Sequence, residues 1–400
     1  MAALLRRRRH VEENQRNYPI QRQRRVFRDR QNPLELFTPV QIWARYRFRP
    51  ATIVGLAQAL SAELEYPTDN NHALPPLLQV CLALRYLSSG TFAIVVGDTC
   101  PVVSPPTAWR AIDHTVRAIN RVLGIRIKFP DPQDQISLQA LQQGFFKIAG
   151  KIIIGGFLES LLIGKMRVYG FEHYLQNCSI LLIGFPNVTG AVDCTHVRVE
   201  PPSELRNEFV NRKGYTSLNC QMVCDHRKRF TDVVVKFPGA AHDSRVWRES
   251  SLGVAMEAGR WPHCLILGDS GYYQRVFLMA PYPNPATEQE TDYNTVHAVT
   301  RSLIEQTFGI TKRFALMKTG TRVRSMGKAA GEILACCILH NYGIDEGDLM
   351  PEEANNESDD PEGILRLDYR GAGTDTALGQ AMRDRLATSI SRHRRQLNAQ

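Results

Sequence analysis

The chain has 400 residues, 43% hydrophobic and 22% charged, which is the composition of a soluble globular protein with room for two domains and a sizeable core. The nine cysteines are odd in number and lie mostly in apolar stretches, which argues against a secreted disulfide scaffold. The formal net charge is +9, and its distribution along the chain is more informative than its size.

The excess positive charge lies at the N-terminus. Residues 1–50 contain thirteen Arg, no Lys and four acids, a net charge of +9 that equals that of the whole chain. Residues 1–33 lack the apolar segment of a signal peptide, so we interpret them as a disordered basic arm suited to nuclear import or phosphate contact. The alternative is a solvated, functionally silent charge run. We predict a nuclear protein, with the cytoplasm as a second location.

Residues 34–126 have the periodicity of helices. Pro50 can open a helix that runs to about Leu64, and Pro76 can open another. A short helix after Gly90 is followed by a turn and by a helix capped at Ser104, an order typical of a helix-turn-helix. The last helix has few basic residues (Arg110, Arg117 and Arg121), so a purely structural helical domain is the alternative to DNA binding.

The stretch Gly190–Val199 is an apolar strand pattern with an acid in its middle. Side chains alternate along a strand, so Asp193 shares its face with a largely apolar row. A carboxylate there is costly to bury unless a cation or hydrogen-bond donors meet it. A strand-end acid that caps a turn is the alternative.

Two further strand patterns, 215–224 and 230–237, form a predicted hairpin around a basic turn. The turn residues Asp225–Arg229 either contact phosphate or are merely solvated. Cys220, Cys224 and His226 could also be zinc ligands, although no second ligand pair has suitable spacing.

Two more acids follow in similar settings. Asp269 ends the apolar run Cys264–Tyr272, and Glu305 lies on an amphipathic helix in a polar stripe with His297 and Arg301 at i, i+4 and i+8. Three acids on two strands and a helix are the oxygen ligands that Mg2+ or Mn2+ favours. Taken alone, a Glu in the position of Glu305 is more often a solvated helix residue than a metal ligand.

The C-terminal part is divided by composition. Beyond Glu305 lies a basic run suited to the DNA backbone or to solvent: Lys312, Arg313, Lys318, Arg322 and Arg324. Residues 345–362 contain nine acids and no base, which predicts a disordered linker. Residues 379–395 then predict a short helix.

Six motifs, in order along the chain, resemble the PIF/Harbinger family of DDE transposases and its domesticated animal nucleases. They are Gly190–Val199, Asn211–Gly214 with Ser217–Asn219, Pro238-Gly239 with His242–Ser244, Gly268–Tyr272, Glu305 with Thr307–Gly309, and Ala335–Asn341. Their order makes the resemblance far more specific than any single motif. It extends from about Arg25 to Tyr342 with one interruption.

The resemblance implies an α/β fold, with a ribonuclease H-like core behind an N-terminal helical domain. It implies Asp193, Asp269 and Glu305 as a catalytic triad that binds two divalent cations, Mg2+ or Mn2+, with Asp243 as a fourth acid near the metal. It also implies DNA as substrate, a water nucleophile without a covalent intermediate, and a Myb-like DNA-binding partner protein. An oligomer is allowed, and no membrane is involved.

The same resemblance sets the domain boundaries. We predict the arm at 1–33, the helix-turn-helix-like domain at 34–126, the nuclease core at 127–150 and 185–343, and the linker with its helix at 344–400. Residues 151–184 have no counterpart in the family pattern. We interpret them as a spurious insertion, such as a retained intron read in frame.

Two other functions stay open. The chain could be a catalytically silent, domesticated DNA-binding or scaffold protein that keeps the acids for structural reasons. It could also be a serine hydrolase, because Gly268-Asp269-Ser270-Gly271 imitates a nucleophile motif, but no disulfide framework or secretion signal accompanies that motif.

Overall fold

A computed structural model describes residues 31–66, 73–99, 103–162, 185–348 and 375–398. Within these ranges the side chains of residues 99, 149–162, 397 and 398 are not described. The predicted basic arm at 1–33 therefore lies almost wholly outside the described residues.

The residues before the sheet form helices. These are α1 (Pro33–Leu36), α2 (Pro39–Tyr46), α3 (Pro50–Ala59), α4 (Ser61–Leu64), α5 (Pro76–Ser89), α6 (Ala93–Thr99), α7 (Pro105–Leu123) and α8 (Gln135–Leu162). Five of them begin with proline, whose fixed φ suits the first helical position and whose missing N–H is not needed there. The predicted helix from Pro50 to Leu64 is interrupted at Leu60, which separates α3 from α4.

Helices α5, α6 and α7 pack together as the sequence predicts. Helix α5 is buried on most sides, whereas α7 buries one face that includes Ala108, Ile112 and Ile119. The cap at Ser104 differs from the prediction, because its hydroxyl pairs with the Thr107 hydroxyl at 2.8 Å and makes no hydrogen bond to a helix N–H.

A five-stranded mixed sheet forms the centre of the core. Its strands are β1 (Val188–Arg198), β2 (Ser217–Cys224), β3 (Phe230–Pro238), β4 (Leu265–Leu267) and β5 (Leu278–Met279). They are ordered β3-β2-β1-β4-β5, with β1, β2 and β3 antiparallel and with β4 parallel to both β1 and β5. The mixed sheet flanked by helices is consistent with the predicted ribonuclease H-like core, and the hairpin prediction is confirmed.

The helices of the C-terminal half surround this sheet. They are α9 (Arg206–Phe209), α10 (Asp243–Arg248), α11 (Ser251–Glu257), α12 (Glu288–Thr311), α13 (Leu316–Thr319), α14 (Met326–Asp345) and α15 (Ala377–Asn398). Helix α12 begins in a capping box in which Thr287 and Glu290 satisfy each other's backbone N–H groups. Helix α15 packs against α12, where Arg394 pairs with the buried Asp292.

Helix α14 fixes the β2–β3 hairpin through two polar side chains. The buried Asn341 amide accepts the Phe230 N–H at 2.8 Å and donates to the Phe230 carbonyl at 2.7 Å and to the Arg126 carbonyl at 3.0 Å. The neighbouring His340 donates a hydrogen bond from Nε2 to the Lys228 carbonyl at 2.7 Å. The last of the six matched motifs therefore holds the helix, the hairpin and the end of the helical domain together.

Other predictions about organisation fall partly outside the described ranges. Residues 151–162 continue helix α8, and 163–184 are outside, so the insertion hypothesis stays a prediction. The predicted acidic linker begins within α14, which ends at Asp345, and 349–374 are outside. The seven described cysteines are free thiols. Among the described residues, none of the helices combines the length and apolarity needed to cross a bilayer.

We predict that Asn341→Ala lowers the free energy of unfolding by about 3 kcal/mol, because it leaves buried backbone groups of Phe230 and Arg126 without their partner. Urea denaturation followed by circular dichroism measures this change. Gln58→Ala, which removes an exposed amide from α3, is the matched control and should change stability by less than about 0.5 kcal/mol. Equal effects from the two substitutions would contradict the role of Asn341.

Candidate metal centre

Two acids meet because the parallel strands β1 and β4 pair in register. Ala191 of β1 lies opposite Leu267 of β4, and Asp193 and Asp269 each follow that pair by two positions. Since neighbouring strands lie about 4.8 Å apart, the two carboxylates emerge side by side at one edge of the sheet. The two strand patterns identified from the sequence are thus brought together by the fold.

A third acid approaches from the start of helix α10. His242 is the N-cap and Asp243 lies in the first turn, where the Asn219 amide of β2 donates to its Oδ1 at 2.8 Å. A methyl group placed on Gly271 would lie 3.1 Å from Asp269 Oδ1 and 3.7 Å from Asp243 Oδ2. Asp243 therefore faces Asp269 across a gap that a glycine keeps open.

The crowding of negative charge raises the pKa values of Asp193 and Asp269. Burial raises the pKa of Asp193 well above its usual value, and the Asp269 and Asp243 charges raise it further, while Arg301 opposes them. Burial is also the largest cause of the raised pKa of Asp269, and the Asp243 charge raises it further. Arg301 and the Gly271 N–H, which donates to Asp269 Oδ1 at 2.9 Å, act in the opposite direction and lower it. The three acids lack enough positive charge to balance them.

Glu305 joins the group through an arginine. Arg301, one turn earlier on α12, donates from Nη1 to Asp193 Oδ2 at 3.3 Å and from Nη2 to Glu305 Oε1 at 2.6 Å. The Glu305 side chain is 54% exposed, whereas that of Asp193 is 18% exposed, so Glu305 lies toward solvent and Asp193 toward the interior. A role for Arg301 was not predicted from the sequence, and its i, i+4 spacing to Glu305 was the available signal.

The first member of the polar stripe, His297, anchors helix α12 to the sheet. Its buried Nε2 lies 3.0 Å from the Met279 carbonyl, which accepts, so this nitrogen carries the proton. Burial lowers the pKa of His297 to about 4, and the imidazole is neutral at pH 7. The stripe therefore runs from a buried anchor through Arg301 to the exposed Glu305.

A basic loop stands beside the acids. The side-chain oxygen Oδ1 of the buried Asn211 accepts the N–H groups of Lys213 and Tyr215, and Gly214 takes a positive φ of 79°. The resulting tight turn presents Arg212 and Lys213 to solvent. Arg212 acts on the pKa values of Asp269 and His196, which shows that its charge is near the acid edge. The motif containing it was matched in the sequence, but its role was not predicted.

Several predicted DNA-contacting residues make internal contacts. Arg117 pairs with Asp113 at 2.8 Å and Arg121 with Glu63 at 3.0 Å, so two basic residues of α7 are occupied within the helical domain. In the basic run after Glu305, Arg313 is buried and donates to the Asp348 and Leu339 carbonyls.

In the same run, Arg322 donates to the Gly90 carbonyl at 3.2 Å. In the basic turn of the hairpin, Arg229 pairs with Asp345. Arg313, Arg322 and Arg229 therefore contact other parts of the protein, whereas Lys318 and Arg324 of the basic run are exposed.

The proposed zinc ligands have ordinary structural surroundings. Cys220 and Cys224 are buried in the core, where burial raises the pKa of each thiol to about 12. His226 lies in the hairpin turn against Phe145, with ring centroids 6.1 Å apart. Cys220 and Cys224 lie four positions apart on the extended strand β2, about 13 Å, which is too far for both to bind one zinc ion.

The acid edge has the chemistry that a divalent cation requires. Its donors are carboxylate oxygens, Arg301 compensates its negative charge only in part, and it is open to solvent through Glu305. Within the described residues, however, no three His, Cys, Asp or Glu side chains stand close enough together to hold a metal ion. The guanidinium of Arg301 lies between Asp193 and Glu305.

Known proteins share this sequence pattern. The family described as DDE superfamily endonuclease matches residues 192–341. The human protein named "Putative nuclease HARBI1" is 33% identical over 317 residues, 78% of this chain and 80% of that protein, and its Bos taurus counterpart is 32% identical with the same coverage. "Protein ALP1-like" of Arabidopsis thaliana is 26% identical over 185 residues, 41% of this chain and 45% of its own. No solved structure gives a significant match.

We predict that Asp269→Asn stabilises the protein in EDTA at pH 8 by on the order of 1 kcal/mol. The pKa of Asp269 is higher in the folded protein than in the unfolded chain. The contribution of Asp269 to the free energy of unfolding is therefore fully present below its unfolded pKa and is lost as the pH rises through its folded pKa. The advantage of the variant should therefore shrink as the pH falls toward about 4. Asparagine can still accept the Gly271 N–H.

Urea unfolding between pH 5 and pH 8 measures this difference. Asp98→Asn, at an exposed position of α6, is the control and should show no pH-dependent change. An Asp269→Asn protein that is less stable than wild type at pH 8 would refute the expected repulsion among the acids.

Proposed function

This chain belongs to the Harbinger-derived family of DDE endonucleases, and on that premise we propose that it is a metal-dependent nuclease that hydrolyses DNA phosphodiester bonds. One observation carries the proposal: Asp193 and Asp269 each lie two positions beyond the paired residues Ala191 and Leu267 of the parallel strands β1 and β4, with Asp243 and the Arg301–Glu305 pair beside them. An edge so rich in carboxylates favours hard cations and phosphoryl chemistry.

Asp193, Asp269 and Glu305 would hold two Mg2+ or Mn2+ ions, with Asp243 as an additional ligand. When bound, such ions supply an activated water as nucleophile and stabilise the leaving oxygen of the phosphodiester. No covalent intermediate with the protein is required. A serine nucleophile is not needed either, because the strand preceding Asp269 accounts for the sequence around Ser270.

The chain's own residues would position the acids and the substrate. Asn219 holds Asp243 and the Gly271 N–H holds Asp269, so neither carboxylate is free to rotate away. Arg212 and Lys213 would bind backbone phosphates near the cleaved bond, because their turn is fixed by Asn211, both side chains are exposed, and the Arg212 charge lowers the pKa of Asp269.

The wider setting is also part of the proposal. The Arg-rich arm suits nuclear import and non-specific DNA contact. Helix α7 has few basic residues, and two of them, Arg117 and Arg121, pair with acids in exposed salt bridges, so we do not assign sequence-specific binding to that helix. A separate Myb-like DNA-binding protein as partner would supply that specificity, and an oligomer could bring two active sites to one DNA.

A catalytically silent DNA-binding or scaffold protein is the second candidate. The observation that favours it is the occupation of the triad by Arg301, which already contacts two of its three acids. DNA binding that is unaffected by EDTA, together with no cleavage in either Mg2+ or Mn2+, would select this alternative.

We predict that Asp193→Asn lowers the cleavage of supercoiled plasmid in Mg2+ or Mn2+ by at least about 100-fold, because it removes the central carboxylate of the site. Gel analysis of nicked and linear products measures the rate, and circular dichroism checks that the variant is folded. Asp98→Asn should cleave like wild type. Cleavage retained by a folded Asp193→Asn protein would rule this mechanism out.

We predict that the double variant Arg212→Ala/Lys213→Ala weakens DNA binding in EDTA for all sequences alike. The negative slope of the logarithm of the DNA association constant against the logarithm of the salt concentration should become smaller in magnitude by about 2, the value for two lost phosphate contacts. Fluorescence anisotropy with two unrelated duplexes at several salt concentrations measures both effects.

The control is a second double variant that removes two positive charges from another part of the surface. Lys128 and Arg260 are exposed, and they immediately precede Phe129 and Trp261, whose rings pack together. Lys128→Ala/Arg260→Ala should leave the salt slope unchanged. A similar loss in both double variants would show that net charge alone governs binding.

A further inference from the structure

Arg301 takes the place among the acids that a cation would otherwise fill. Its guanidinium reaches Asp193 Oδ2 at 3.3 Å and Glu305 Oε1 at 2.6 Å, and its charge also acts on Asp269. Its side chain is only 20% exposed. One side chain of helix α12 therefore contacts two carboxylates of the triad and lies within the field of the third.

The energetic need for this contact follows from the composition of the edge. Asp193, Asp243 and Asp269 repel one another, and a buried carboxylate without a partner is strongly destabilising. Guanidinium is charged at every physiological pH and offers several donors in one plane, so it can hold two carboxylates at once. Arg301 thus supplies the counter-charge of the metal-free protein.

The same contacts would compete with a metal ion. Asp193 Oδ2 and Glu305 Oε1 are oxygens that a divalent cation would need, and both accept hydrogen bonds from Arg301. An additional positive charge beside the guanidinium would be repelled by it. The exposed Glu305 can turn toward solvent at little cost, so the pair can open on that side.

We propose that Arg301 is a built-in counter-cation that holds the acid triad in the metal-free protein and is displaced from Asp193 and Glu305 when a divalent cation binds. The inference rests on the proposed function, since it concerns the same site. It makes metal binding and the Arg301 contacts mutually exclusive. By linkage, weakening one strengthens the other.

The test uses the full chain, with Arg301→Gln as the main variant. In EDTA the variant should melt about 2 °C or more below wild type, because the buried acids lose their partner. Its Kd for Mn2+, measured by isothermal titration calorimetry without DNA, should be about tenfold lower than that of wild type. Mn2+ should therefore raise its melting temperature more than it raises that of wild type.

Two further variants make the result specific. Arg394→Gln removes an arginine from another buried acid, Asp292, on the same helix α12. It should lower the melting temperature in EDTA and leave the Mn2+ Kd unchanged. Arg301→Lys keeps one charge but cannot span both carboxylates, so its Kd should lie between those of wild type and Arg301→Gln, which provides a second test if the glutamine variant does not fold.

The outcomes separate the inference from the function on which it rests. If wild type binds Mn2+ and the Arg301 variants bind it equally or more weakly, the counter-cation role is wrong while the metal centre stands. If neither wild type nor the variants bind Mn2+, both the metal centre and the inference fail. Binding by the variants alone, or more tightly by them than by wild type, supports the inference.

Discussion

Repulsion between carboxylates at one edge of the sheet is the constraint around which this protein is built. Parallel pairing of β1 and β4 puts Asp193 beside Asp269, and the start of α10 adds Asp243. Such a cluster opposes folding unless donors and cations surround it. The contacts near the sheet edge, from Asn219 to the Gly271 N–H and Arg301, are of this compensating kind.

Helix α12 connects this chemistry to the rest of the fold. Its His297 is fixed to β5 through the Met279 carbonyl, and one turn later Arg301 arrives at Asp193. The far side of the helix is held by α15, through Arg394 and Asp292. The C-terminal helix, to which the sequence assigned no role, therefore supports the helix that completes the acid edge.

The sequence was informative wherever a periodicity was long or a motif was dense. Proline placed the starts of α3 and α5, and alternation located β1 and the hairpin. It was less informative for charged residues, because a basic side chain looks the same whether it meets phosphate, solvent or a carbonyl. Arg313 and Arg322 belong to the run suited to the DNA backbone or to solvent, and in the structure both donate to carbonyl groups of the protein's own chain.

By itself, the sequence determined the family, the α/β class and the identity of the candidate acids, since these depend on residue order and local spacing. Only the tertiary structure decided that Asp193 and Asp269 stand in register, that Asn341 joins a helix to a hairpin, and that Arg301 lies among the acids. These contacts join residues separated by about a hundred positions. No local pattern records them, because they arise from how strands pair and helices dock.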